Sequence, residues 1–144
     1  MAFVYHRTVY FRDTDGAGVV YFAQVLAFCH EAYESSLAAV GIELPHFFRA
    51  QTLAVPITHA DVDFFAPLTC GQALGIVLTP QRGDRSSEFA ITYQVHLLPA
   101  PQAPPNPNDR PAAIAHTRHV CIHPTLRHRC DRPPFLENWL DTWG

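Results

Sequence analysis

One long apolar helical pattern, set in a chain otherwise patterned for strands, constrains this fold most. Between Ala23 and Ala39 the apolar positions Val25, Leu26, Cys29, Tyr33, Leu37 and Val40 recur at spacings of three and four, with Glu31 and Glu34 on another side. Gly41 stands where a C-terminal cap belongs. At 1.5 Å per residue such a helix is roughly 25 Å long. It is apolar enough to be the centrepiece of the core, so the strands must cover it.

Residues 3–11 favour β-branched and aromatic types and read as a first strand. Val55 and Ile57 point one way, but the apolar phase then moves to Ala60, Val62 and Phe64, leaving Asp61 and Asp63 opposite. A one-residue slip of this kind marks a bulge or bend and hence a curved sheet. Leu74, Ile76 and Leu78 form the next strand, ending at Pro80. The cleanest alternation follows: Phe89, Ile91, Tyr93, Val95 and Leu97 against Glu88, Ala90, Thr92, Gln94 and His96. Residues 99–111 hold six of the thirteen prolines and read as an exposed loop, because proline supports neither helix nor ladder. Residues 112–123 return as a strand to the same sheet, and 135–143 form a short helix packing Leu136, Trp139 and Leu140. The 33 residues beyond the loop are too few for a second core. The expectation is a single α+β domain over residues 1–144.

The net charge of −3 and the lack of a basic stripe argue against a nucleic-acid partner. No apolar run reaches 18 residues, and the N-terminus lacks a basic-then-apolar leader, so a cytoplasmic protein with no membrane partner is expected. All ten basic residues are Arg. Without Lys, Schiff-base catalysis and a P-loop lysine are excluded, and phosphate must be held by Arg, His or backbone amides. Cys29, Cys70, Cys121 and Cys130 show no CxxC pairing and are expected as free thiols. The group Cys121, His123, His128 and Cys130 invites a zinc reading. Its spacing is not a usual one, and His119, Cys121 and His123 alternate as one strand face would, so no metal and no cofactor are expected.

The run from Phe11 to Phe22 (FRDTDGAGVVYF) carries the chemistry. A strand gives way to a turn with two acids and two glycines, then to the long helix. Gly16 and Gly18 permit φ > 0 and close approach of another molecule. A helix starting near Val20 presents unpaired N–H groups and a partial positive charge in front of it. An Asp at such a place is ordinarily a turn former or cap, a reading that fits Asp13.

The string Asp13-Thr14-Asp15-Gly16-Ala17-Gly18-Val19-Val20-Tyr21-Phe22 and the helix after it resemble the 4-hydroxybenzoyl-CoA thioesterase-like hotdog family. Together with Cys29-His30-Glu31-Ala32-Tyr33-Glu34, the run Val19–Ala23 is most similar to the branch of cyanobacterial 1,4-dihydroxy-2-naphthoyl-CoA thioesterases of phylloquinone biosynthesis. The specific part of the resemblance covers residues 11–41. It implies a hotdog fold, in which a curved antiparallel five-stranded sheet wraps a long central helix. It also implies Asp15 as catalytic carboxylate, Asp13 as structural, and the backbone amides of Tyr21 and Phe22 as the groups that polarise the thioester carbonyl. Many acyl-CoA thioesterases of the family carry His where this chain has Phe22, and an aromatic residue there suits a flat aryl group. Gly16, Gly18, Val20, Glu31 and His59 are expected to border the substrate. The resemblance further implies a homodimer unit within a homotetramer.

A thioester is already activated, and its thiolate leaving group, with a pKa near ~8.5 by analogy with cysteine, needs no strong general acid. One carboxylate suffices, either as nucleophile forming a mixed anhydride or as base for a water. For the CoA phosphates, the turn Gln81–Ser87 offers Arg82 and Arg85, with Arg127-His128-Arg129 in competition. Two other readings are a non-catalytic acyl-CoA-binding hotdog module and a magnesium-dependent aspartyl-phosphate phosphatase. The second needs alternating strands and helices, which the second half lacks.

Overall fold

The computed structural model describes residues 1–49 and 51–144. Strands β1 (Phe3–Thr8), β2 (Ile57–Phe64), β3 (Ala73–Arg82), β4 (Glu88–Leu97) and β5 (Ala113–Val120) form one antiparallel sheet in the order β1-β3-β4-β5-β2. Helix α1 (Phe22–Ala39) lies on one face, followed by the single turn α2 (Leu44–Phe47); α3 (Pro134–Trp143) closes the chain. This is the hotdog arrangement expected from the sequence.

Alternation makes the sheet one-sided. Leu74, Ile76 and Leu78 of β3, Phe89, Ile91, Tyr93 and Val95 of β4, and Ala113 and Ala115 of β5 are buried toward α1. From α1, Val25, Phe28, Cys29, Ala32, Tyr33 and Leu37 meet them, at spacings that repeat every helical turn. Each large side chain so buried contributes about 1.5–3 kcal/mol. Gly41, at φ +87°, ends α1, with its N–H on the Ala38 carbonyl. Trp139 of α3 donates its indole N–H to Ser36 Oγ at 2.9 Å, which fastens the C-terminal helix to the far end of α1.

The register shift in β2 falls between Ile57 and His59, where the apolar phase slips, and beyond it Ala60, Val62 and Phe64 share the helix-side face with Thr117, Ala115 and Ala113. Three boundaries differ from the sequence reading. β5 ends at Val120 and not at residue 123. β1 stops at Thr8, because the Val9 carbonyl accepts the Gly71 N–H and the chain turns into a 3-10 turn over Phe11–Asp13. β3 continues through Pro80 to Arg82. Pro80 lies beyond Leu78, the partner of Phe3, so no β1 residue awaits its missing N–H, while its other side still pairs with Ile91. The proline-rich segment joins β4 to β5 and is mostly exposed. Among the described residues no helix is long and apolar enough to cross a membrane.

Candidate active site

Arg7 builds the corner from which the site is hung. Odd-numbered residues of β1 face α1, and the third of them is this arginine. Its Nη1 donates to Asp13 Oδ2 at 2.7 Å, its Nη2 to Asp13 Oδ1 at 3.3 Å, and its Nε to Glu31 Oε1 at 2.7 Å, with the guanidinium 4.0 Å from the Phe28 ring centre. Asp13 also accepts the Tyr10 N–H at 2.8 Å. Burial opposes ionisation of Asp13, but Arg7 and the Tyr10 N–H outweigh it and hold the carboxyl below its usual range. Glu31 accepts the Tyr5 hydroxyl as well, and burial together with this carboxylate pushes Tyr5 up to about 12. Asp13 and Glu31 are thus pinned between β1, the 3-10 turn and α1.

Asp15 is exposed, in contrast to Asp13. Its N–H donates to the Val19 carbonyl at 2.9 Å and its carbonyl accepts the Gly18 N–H at 3.0 Å, closing a tight loop that bridges Thr14 to Val20 and Val19 to Thr69. Oδ1 accepts the Ala17 N–H at 2.8 Å, while Oδ2 has no hydrogen bond among the described residues. The loop therefore orients the carboxylate and leaves one oxygen available. Gly18 has φ +81°, where an L side chain is strained; Gly16 lies outside that region, so only one of the two glycines is needed for backbone conformation. A Cβ at either would meet nothing within 4 Å, so both leave room for a substrate.

The helix amides sit one residue later than the sequence suggested. The Tyr21 N–H is taken by the Asp13 carbonyl at 2.9 Å and the Val20 N–H by the Leu68 carbonyl at 2.8 Å. Tyr21 is the N-cap, and the Gln24 N–H turns back onto its carbonyl. Among the described residues, the N–H groups of Phe22 and Ala23 have no backbone acceptor. The unclaimed pair at the helix start is thus Phe22 with Ala23, while the Tyr21 N–H is taken up within the turn.

A cleft of about 320 Å³ adjoins this terminus, walled by Val20, Phe22, Val25, Phe64, Phe65 and Leu68 among others, with no ionisable side chain in its lining. Val20 and Phe22 are placed here as expected. His59 is not: it lies on the sheet face turned from α1, where its Nε2 stands 2.8 Å from Asp61, which also meets His116 Nδ1 at 2.9 Å. Arg82 and Arg85 are also elsewhere. Nine residue steps separate Ala73, beside the site, from Arg82, roughly 30 Å along β3. Arg82 is moreover tied to Glu137 and Asp141 of α3 at 2.8 and 2.7 Å, which clamps the C-terminal helix. In the competing run, Arg129 pairs with Glu88 at 2.6 Å. His123 Nδ1 accepts the N–H groups of Thr125 and Leu126, and Cys121 is buried. Arg7, the Ala23 amide and the Phe64–Leu68 wall escaped the sequence reading. An arginine on the inward phase of β1 was the signal available for the first.

Comparison with known proteins places this architecture. The family model described as the thioesterase-like superfamily matches residues 9–140. The chain belongs to that superfamily. It is 50% identical over 141 residues to the 1,4-dihydroxy-2-naphthoyl-CoA hydrolase of Trichodesmium erythraeum, covering 97% of this chain and 96% of that one. The enzyme of the same name from Picosynechococcus is 44% identical over 140 residues, covering 97% and 92%. The crystal structure of a 1,4-dihydroxy-2-naphthoyl-CoA thioesterase from Synechocystis superposes with a TM-score of 0.85 at 36% identity, covering 98% of this chain and 96% of that chain.

Proposed function

We propose that this chain is an acyl-CoA thioesterase that hydrolyses 1,4-dihydroxy-2-naphthoyl-CoA to 1,4-dihydroxy-2-naphthoate and CoA, a step of phylloquinone or menaquinone synthesis. Relatives of 44–50% identity over nearly the full length bear that activity in their names, which supports the substrate. The observation that carries the mechanism is a carboxylate with one uncommitted oxygen, fixed in the loop that leads into two unclaimed helix N–H groups beside an apolar cleft. The flat acyl group enters the cleft and its carbonyl oxygen turns to the Phe22 and Ala23 amides. Asp15 then takes a proton from water as the hydroxide adds to the carbonyl carbon, or itself adds to that carbon. In either route the negative charge on oxygen falls on the two amides, the C–S bond breaks, and the thiolate leaves; in the second route water then hydrolyses the mixed anhydride on Asp15, releasing the acid and restoring the carboxylate. One such donor is commonly worth ~10²–10³ in rate. No step requires a metal or cofactor.

The working unit is a homodimer, assembled into a homotetramer. β2 pairs on one side only, with β5, and its residues are almost all exposed. Phe11, Phe22, Phe64 and Phe65, 82%, 63%, 52% and 41% exposed, cluster by chain position at the site end, a surface for a second copy to cover. The function is tested by thiol release from a panel of aryl and alkyl CoA esters. Preference for the dihydroxynaphthoyl ester is expected. Binding of all esters without thiol release would make the chain a carrier, and a preference for alkyl esters would overturn the substrate.

A further inference from the structure

Arg7 ties three elements together beside the loop that carries Asp15. Its Nε donates to Glu31 Oε1 at 2.7 Å, its Nη1 to the Thr8 carbonyl at 3.0 Å and to Asp13 Oδ2 at 2.7 Å, and its Nη2 to Asp13 Oδ1 at 3.3 Å. The end of β1, the 3-10 turn and α1 thus meet on one planar group. The Phe28 ring centre lies 4.0 Å from the guanidinium carbon and the Tyr10 ring centre 5.4 Å from it. The side chain is 8% exposed and every one of these partners belongs to its own chain, so the arrangement stands however a second copy packs.

Two of these ties reach α1 at separate points. Asp13, whose carboxylate Arg7 holds, accepts the Tyr21 N–H on its backbone carbonyl at 2.9 Å, which takes up the N-cap amide and leaves those of Phe22 and Ala23 unclaimed. Glu31 stands nine residues after Phe22, roughly 13 Å farther along the helix. Two fixed points set both the axial position and the rotation of α1. A slip of one residue would turn the first amides by about 100° around the helix axis. Asp15 lies two residues beyond Asp13, and Thr14 between them is bridged to Val20. The carboxylate and the amides are therefore indexed to one another through Arg7. The guanidinium faces two carboxylates, Asp13 and Glu31, so the cluster presents no net cation to a developing oxyanion, and what it supplies is geometry.

We infer that Arg7 is a positioning residue of the site: its fork, and not its charge, holds the Phe22 and Ala23 amides where the carbonyl of an aryl CoA ester meets them. The assignment rests on the thioesterase reading. A planar fork locked on several acceptors is pre-organised as a flexible ammonium is not. Misplacing reacting groups by about 1 Å commonly costs ~10² in rate.

Two substitutions separate fork from charge. Arg7→Lys keeps the charge and loses the fork, whereas Asp13→Asn loses a charge and keeps an oxygen for Nη1. Both are assayed for thiol release well below their unfolding temperatures. Infrared difference spectra record the carbonyl stretch of a bound aryl-CoA ketone, in which a methylene replaces the sulfur and hydrolysis is barred. In wild type the amides should lower that stretch below its value in water. Arg7→Lys is expected to move it back and to lower kcat by about 10- to 100-fold with KM within a few-fold, and Asp13→Asn to do far less of either. Glu31→Ala, which frees only the helix end of the tie, should show part of the Arg7→Lys effect, and it carries the test if Arg7→Lys does not fold. A wild-type stretch and kcat in these two variants, an equal loss in Asp13→Asn, or a Glu31→Ala that raises KM alone would overturn the assignment. A wild type that lowers the stretch but releases no thiol from any CoA ester would sink the thioesterase reading and leave the positioning role to stand on the spectra.

Discussion

Acidification should unfold this protein through one buried imidazole. His119 lies on the helix side of β5, 1% exposed, its ring stacked on Phe89 at 4.6 Å and 8° and 5.1 Å from the Tyr33 ring. Nε2 meets Thr117 Oγ1 at 2.8 Å, and Nδ1 has no partner among the described residues. Burial, with a smaller contribution from His30, lowers its pKa from 6.5 to about 4. The native state therefore binds this proton less readily than the unfolded chain does. Stability from this group is complete above pH 6.5 and falls by up to about 1.4 kcal/mol per pH unit as the pH drops toward 4, a loss of about 3 kcal/mol in all. The cost is physical: a protonated ring would bring a charge and an unpaired Nδ1–H into an aromatic core. Denaturant titrations of wild type and His119→Gln at a fixed protein concentration between pH 7.5 and 4.5 isolate this imidazole from the other histidines. Wild type should be the steeper in its dependence by about 1 kcal/mol per unit below pH 6. Parallel curves would refute the reasoning.

Three further outcomes follow from the corner and the loop. Asp13→Asn leaves Arg7 facing Glu31 alone in a buried setting and should cost about 3 kcal/mol in chemical denaturation, with kcat of the folded protein far less affected. Because Arg7 keeps the Asp13 carboxyl below its usual range, its contribution is present at neutral pH and disappears in acid, and Asp13→Asn should flatten that limb of the stability curve. Gly18→Ala forces an L side chain into φ +81°, a strain of about 1–2 kcal/mol in the loop that aims Asp15, so kcat should fall more than KM rises.

Elements set by local periodicity were legible in the sequence. The α1 pattern with Gly41 predicts a helix that begins within one residue of the observed start, β4 matches its alternation, and the phase slip before Ala60 locates the β2 bulge. The division between a structural Asp13 and an available Asp15 agrees with their burial. What escaped depends on partners distant in the chain. Arg82 reads as a free turn cation until Glu137 and Asp141, 55 and 59 residues on, fold beside it. The unclaimed helix amides are those of Phe22 and Ala23 and not of Tyr21, because the Asp13 carbonyl, eight residues earlier, accepts the Tyr21 N–H. Pro80 reads as a strand end, yet β3 carries it where β1 has run out.

The central claim is that the uncommitted oxygen of Asp15 does the chemistry. Asp15→Asn preserves the shape and the hydrogen bond to the Ala17 N–H but can neither attack the thioester nor accept a proton from water. Stopped assays of thiol release from 1,4-dihydroxy-2-naphthoyl-CoA, run on wild type and Asp15→Asn of matched thermal stability, measure this directly. The account predicts that kcat falls by about 10³ or more while KM stays within a few-fold. A variant that keeps near-wild-type kcat would contradict it.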